Sequence, residues 1–278
     1  MTEHLSIPTP AGSFDAIAAG PEDGRGVLLL HGFPQSSLEW SHQLAELGTH
    51  GYRAIAFDQR GYSPGVRPSE VAEYTDEQLC ADVLAVADEL GWSRFDLVGH
   101  DWGAYVAWAT AAGSPDRVRT LTAVSVPHPA PFREAVRTDE DQQTRSRYMQ
   151  TFRQAGVTER AFAENPQAFA ALFERAVPHD HVREYLERLA EPGALTAALN
   201  WYRAMHLNGP VDPVTVPTMY VWSTEDVAVG STAALATEHY VTGPYRFEML
   251  EDLTHWLPEQ AAERLSALLL EHLAAHRA

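Results

Sequence analysis

The chain has 278 residues, 45% of them hydrophobic, and 38 acidic against 20 basic side chains leave a net charge of −18. That length buries one sizeable core and suits a single α/β domain with an insertion, while the acidic excess repels nucleic acid and anionic membranes. No lysine occurs, which excludes a P-loop phosphate lysine and a Schiff-base lysine, and Cys80 as the sole cysteine excludes an intrachain disulfide and a thiolate metal cluster.

Residues 1–10 hold no basic region followed by an apolar run, and no stretch is long enough to span a bilayer. A soluble, cytoplasmic protein is expected, with both tails part of the fold. Apolar runs at 27–30, 54–57, 95–98 and 121–126 predict strands, mostly apolar on both faces as buried parallel strands are. Helical patterns fall between them at 38–48, 75–90 and 103–112, the last ended by Gly113 and Pro115. After Val126 the run Pro127-His128-Pro129-Ala130-Pro131 breaks this alternation. Helical periodicity alone then continues over 139–155, 166–177, 179–189 and 193–206, closing at Asn208-Gly209-Pro210 and Pro213. Strands return at 218–222 and 245–250, and an amphipathic helix spans 258–276. The expected fold is α/β, a mostly parallel central sheet flanked by helices, with a core over 1–127 and 211–278 and an inserted helical lid over 128–210.

Gly99-His100-Asp101-Trp102-Gly103 lies where the strand at 95–98 passes into the helix at 103–112. A strand that turns sharply into a helix strains its central residue, and the residues two before and two after must be small. Gly99 and Gly103 meet that demand. The helix N-terminus that follows offers free N–H groups, which keep a carboxylate ionised. An aspartate at this place also suits a plain helix N-cap between turning glycines, so the motif needs its context.

With these residues the chain resembles the epoxide hydrolase branch of the α/β-hydrolase superfamily, from about residue 27 to residue 272. The motifs are His31-Gly32-Phe33-Pro34, Asp58-Gln59-Arg60-Gly61-Tyr62, the elbow just described, Asn200-Trp201-Tyr202-Arg203 and Thr254-His255-Trp256. The resemblance implies nucleophile, acid and histidine in that chain order: Asp101, then Asp226 after the strand ending at 222, then His255 after the strand ending at 250. Glu225 competes for the acid's place, but Asp226 matches the family position. Thr254 stands where the family usually has glycine. The implied oxyanion hole is the backbone N–H of Phe33 with that of Trp102. Tyr202 matches one lid tyrosine of the family, and Tyr148 is similar to the second. An apolar pocket is expected against His31, Pro34, Phe132, Phe152, Trp201 and Trp256.

A carboxylate nucleophile attacks saturated carbon and forms an alkyl ester, whereas acyl transfer in this fold uses serine or cysteine. An epoxide oxygen leaves as an alkoxide about as basic as hydroxide, whose parent water has a pKa near 15.7. It needs a proton donor, and a tyrosine with an ordinary pKa of about 10 serves. Halide departure needs only N–H donors. Trp102 offers one, but Phe33 replaces the asparagine usual after His31-Gly32, leaving Trp201 as a substitute. The expected function is therefore hydrolysis of an epoxide to a vicinal diol through an ester on Asp101, released by water that His255 and Asp226 activate. Haloalkane dehalogenase with the same residues is the alternative, and a non-catalytic small-molecule receptor the third reading. Neither a cofactor nor a metal is expected, since His179-Asp180-His181 lacks a third ligand. The partners expected are a small apolar epoxide and water, not nucleic acid or membrane, for a monomer or homodimer.

Overall fold

The computed structural model describes residues 2–173 and 175–277. It begins with a hairpin that the sequence reading does not include: β1 (Thr2–Thr9) pairs antiparallel with β2 (Gly12–Ala19), whose apolar run at 16–19 is buried. β1 is mostly exposed and polar, so alternation there is too weak to read from residues alone. The apolar runs become β3 (Arg25–Leu30), β4 (Tyr52–Phe57), β5 (Phe95–His100), β6 (Val118–Val124), β7 (Thr218–Ser223) and β8 (Tyr245–Leu250). The eight strands among the described residues form one sheet in the order β1-β2-β4-β3-β5-β6-β7-β8, parallel from β4 to β8.

Both faces of the central strands are buried, with alternate side chains entering opposite layers. Leu28 and Leu30 join one apolar cluster, and Val27 and Leu29 join the other. The helices α1 (Ser41–Thr49), α2 (Asp76–Glu89) and α3 (Trp102–Gly113) cross between strands. The helix expected at 38–48 starts late, because Ser36 caps a short 3-10 turn at Ser37–Trp40 before α1 begins. Cys80, on α2, is packed, and burial pushes its thiol up to about 11.

Between β6 and β7 the described residues contain helices and turns but no strand. They form α4 (Pro129–Thr138), α5 (Glu140–Arg145), α6 (Tyr148–Phe152), α7 (Val157–Glu164), a 3-10 turn at Pro166–Phe173, α8 (His179–Leu189) and α9 (Ala194–Ala204). The helix expected over 139–155 is broken between α5 and α6. There the buried Gln142 amide donates to Ser146 Oγ and to the Ala228 carbonyl, tying the break to a loop of the core. The expected helix at 166–177 is a shorter 3-10 turn, and Glu174 within it lies outside the described residues. After β7 come α10 (Ser231–Ala236), then α11 (Leu257–Gln260) and α12 (Ala262–Ala275), so the helix expected over 258–276 is interrupted at Ala261.

Side-chain ties hold the inserted segment against the core. His181 Nδ1 meets Glu259 Oε1 at 2.7 Å, the Tyr185 hydroxyl donates to the same oxygen at 2.9 Å, and Arg188 pairs with Asp58. The His179-Asp180-His181 pattern thus leads to a carboxylate partner for His181, which raises the imidazole pKa. No helix of the described residues is long and apolar enough to cross a membrane.

β3 has β4 on one side and β5 on the other, so the direction of winding reverses between β3 and β5. A crevice opens at the carboxyl ends of strands where that reversal occurs. The loops after β3 and β5 meet there, beside those after β7 and β8.

Candidate active site

Asp101 follows the last residue of β5 and has φ 51° and ψ −119°, a conformation that a non-glycine residue holds only when its surroundings enforce it. A Cβ on Gly99 would lie 2.2 Å from the Gly103 carbonyl oxygen, and one on Gly103 would lie 2.1 Å from that of Leu30. The two glycines are therefore demanded by space as well as by the turn. The Asp101 carboxylate caps no N–H of α3 and instead faces inward, so the plain N-cap account does not describe it. Gly103→Ala forces backbone apart at the crevice, and a loss of about 3 kcal/mol or more in urea unfolding is the expected result.

The Phe33 N–H donates to Asp101 Oδ1 at 2.8 Å, and Asp101 Oδ2 lies 3.4 Å from His255 Nε2. The far side of that imidazole reaches Asp226, whose two oxygens are 3.0 and 2.9 Å from Nδ1. Asp226 is fully buried and is held by the Ala228 and Val229 N–H groups at 2.8 and 3.0 Å. Its rival Glu225 is exposed to solvent. The Trp102 N–H, at the start of α3, has no hydrogen-bond partner among the described residues.

Burial alone would lower the His255 pKa, but the charges of Asp226 and Asp101 outweigh it and raise the imidazole to about 10. For Asp101 burial opposes ionisation, yet the hydrogen bond and charge of His255 hold its carboxyl below the ordinary value. The resting arrangement is an imidazolium between two carboxylates.

Three further residues stand behind the imidazole. The His255 carbonyl accepts from Ser125 Oγ at 2.8 Å and faces His100 Nε2 at 3.0 Å, while His100 Nδ1 meets Glu39 at 3.2 Å. Burial lowers His100 to about 4, so it is neutral, and its one proton faces the carbonyl. Burial together with the charges of Glu259 and Asp101 raises the Glu39 carboxyl well above its ordinary value. This chain of contacts pins the His255 loop from behind. His100 was visible within the elbow. Glu39 and Ser125 were not, since only the folded chain brings them to His255.

Two cavities meet over Asp101, and Tyr148, Tyr202 and Ala228 belong to the walls of both. One spans about 570 Å³, part of it open to solvent, and includes Trp102, Tyr105, Phe132 and Arg133. The other spans about 670 Å³, likewise partly open to solvent, and includes Phe33, Pro34, Phe152, His255 and Trp256. Tyr202 packs edge-on against Trp102 at 5.1 Å and Phe33 at 5.4 Å, with the Tyr148 ring 6.2 Å away. Burial and the Asp101 charge push both tyrosines above their ordinary pKa, so both hydroxyls stay protonated.

His31 and Trp201 stand behind the wall rather than on it. His31 Nε2 accepts the Gln59 N–H at 3.0 Å, and the Trp201 indole donates to the Arg60 carbonyl at 2.9 Å. His31 Nε2 and the Trp201 indole N–H are thus spent on the backbone of the Asp58-Gln59-Arg60 turn, and the indole is not free to hold a leaving halide.

Comparison with known proteins agrees with this architecture. A family model described as the alpha/beta hydrolase fold matches residues 26–159. AB hydrolase superfamily protein YfhM of Bacillus subtilis (strain 168) is 31% identical, over 92% of this chain and 92% of that protein. Epoxide hydrolase 4 of Mus musculus is 32% identical over 92% of this chain and 75% of its own length. A solved structure described as one of the novel epoxide hydrolases in metagenomes from hot environments has a TM-score of 0.88 and 29% identity, covering 99% of both chains.

Proposed function

This chain belongs to the epoxide hydrolase branch of the alpha/beta hydrolase superfamily, and from that membership we propose that it converts an epoxide to a vicinal diol through a covalent ester on Asp101. The observation that carries the proposal is the convergence of an ionised Asp101, an imidazolium 3.4 Å away and two protonated tyrosines on one apolar cavity. Residues 128–210 act as the cap, which supplies both tyrosines and excludes water from the reacting atoms.

Tyr148 and Tyr202 hold the epoxide oxygen while an Asp101 oxygen attacks a ring carbon. The C–O bond breaks, and a tyrosine proton passes to the alkoxide. The raised tyrosine pKa values mean that this proton moves only to a base of alkoxide strength. Esterification then removes the Asp101 charge, one of the two that raise His255. The imidazolium releases its proton, which restores the tyrosine, and becomes a base. In the second step neutral His255 takes a proton from water, and the hydroxide adds to the ester carbonyl. The Phe33 and Trp102 N–H groups bind the oxyanion. Collapse gives the carboxylate and the diol, with the water proton left on His255, so the resting charges return.

The tyrosine pair favours an epoxide over a haloalkane, since a departing halide has no use for a proton. Measuring diol and released halide on one purified sample, across matched epoxides and haloalkanes, tests the choice. Diol without halide is the expected result, and halide without diol would reverse the assignment. Tyr148→Phe and Tyr202→Phe each slow ring opening about 10²-fold in single-turnover kinetics. Neither changes the rate at which a formed ester hydrolyses, because the hydroxyls act on the first step.

A further inference from the structure

We infer, on the epoxide hydrolase reading, that α8 of the cap positions the oxyanion N–H of Phe33 through two buried core carboxylates, Glu259 and Asp58, and so serves ester hydrolysis rather than ring opening.

His181, Tyr185 and Arg188 follow one another at helical spacing, which sets them on one face of α8. Each ends on a carboxylate of the core. His181 Nδ1 and the Tyr185 hydroxyl reach Glu259 Oε1 at 2.7 and 2.9 Å, and Arg188 pairs with Asp58 Oδ2. The other oxygen of each carboxylate holds the segment after β3. Gln35 Nε2 donates to Glu259 Oε2 at 2.7 Å, and the Ser37 N–H donates to Asp58 Oδ1 at 2.8 Å. Both ties fall just beyond Phe33 in the chain.

The Glu259 and Asp58 side chains are only 3% and 1% exposed. Carboxylates so far from water need every donor they have, so α8 and the Phe33 segment are held as one unit. None of His181, Tyr185, Arg188, Glu259, Asp58 and Gln35 lines the cavities over Asp101, so these side chains act on the reaction only through the backbone they hold.

The Phe33 N–H serves the two chemical steps differently. In the resting enzyme it donates to Asp101 Oδ1 at 2.8 Å. Attack by Oδ2 withdraws charge from Oδ1, which becomes the ester carbonyl oxygen, so a displaced N–H does not hinder ring opening. Addition of hydroxide returns charge to that oxygen, and a displaced donor then costs rate.

The test uses the epoxide that the wild type converts fastest from a panel of alkyl and aryl epoxides. Intact mass after acid quench gives the fraction of enzyme held as ester during saturated turnover. Dividing kcat by that fraction gives the rate of ester decay, while kcat/KM reports the course up to ring opening. Y185F removes one donor and keeps the ring that stacks on Phe173, and R188Q removes the ion pair with Asp58. Each slows ester decay about fivefold, the scale of one buried hydrogen bond, and leaves kcat/KM within about twofold. E259L slows decay more than either. E259Q recovers part of the loss, because Gln35 can turn its buried Oε1, which has no partner among the described residues, toward the new N–H. An equal fall in ester decay and kcat/KM, unchanged decay in Y185F and R188Q alike, or an E259Q variant as slow as E259L would overturn the inference. Absence of diol across the whole panel with the wild type would instead overturn the epoxide hydrolase reading, and this inference with it.

Discussion

Asp101→Asn and Asp101→Ala each lower turnover at least about 10⁴-fold, the scale on which loss of a covalent nucleophile is felt. The asparagine keeps the shape of the carboxylate and still accepts the Phe33 N–H, now 2.8 Å from Oδ1, so the elbow retains its form. What it lacks is the charge that, in the proposed scheme, attacks carbon. The same change removes one of the two anions that raise His255 to about 10, so the imidazole of the variant titrates at lower pH. NMR titration of His255 in Asp101→Asn reads this second effect independently of activity. If Asp101→Ala turned over at an appreciable fraction of the wild-type rate, water would be attacking the epoxide directly, and the ester scheme would be wrong.

His255→Gln stops the cycle one step later. Asp101 still opens the ring, but glutamine takes no proton from water, so one equivalent of ester accumulates and turnover falls by a similar factor. Loss of the imidazolium removes the main influence holding Asp101 below its ordinary pKa, while burial, which raises it, remains. The experiment therefore belongs on the alkaline side of neutrality, which favours the ionised carboxyl. Intact-mass spectrometry distinguishes the leaving groups. Ring opening adds the whole mass of the epoxide, whereas displacement of a halide adds the haloalkane less its acid. A variant that gains no mass from a substrate the wild type consumes would rule out the two-step route.

Much of the core was legible because it depends on short stretches of chain. The runs at 27–30, 54–57 and 95–98 mark buried strands by their alternation into two apolar layers. The elbow was legible from its glycine spacing, since a side chain at Gly99 or Gly103 collides with backbone. The inserted segment was harder. Its helices break where single side chains such as Gln142 reach across to the core, and periodicity does not register such contacts.

Residues alone therefore sufficed for the α/β alternation, the strained turn at Asp101 and the loop positions of Asp226 and His255. Local sterics and hydrophobic period govern these within a few residues. Three-dimensional packing was needed to exclude His31 and Trp201 from the cavity wall, to place Glu39, His100 and Ser125 behind His255, and to make Asp101 the waist of two cavities. Burial and charge at one atom are sums over neighbours drawn from the whole chain, and only folding selects those neighbours.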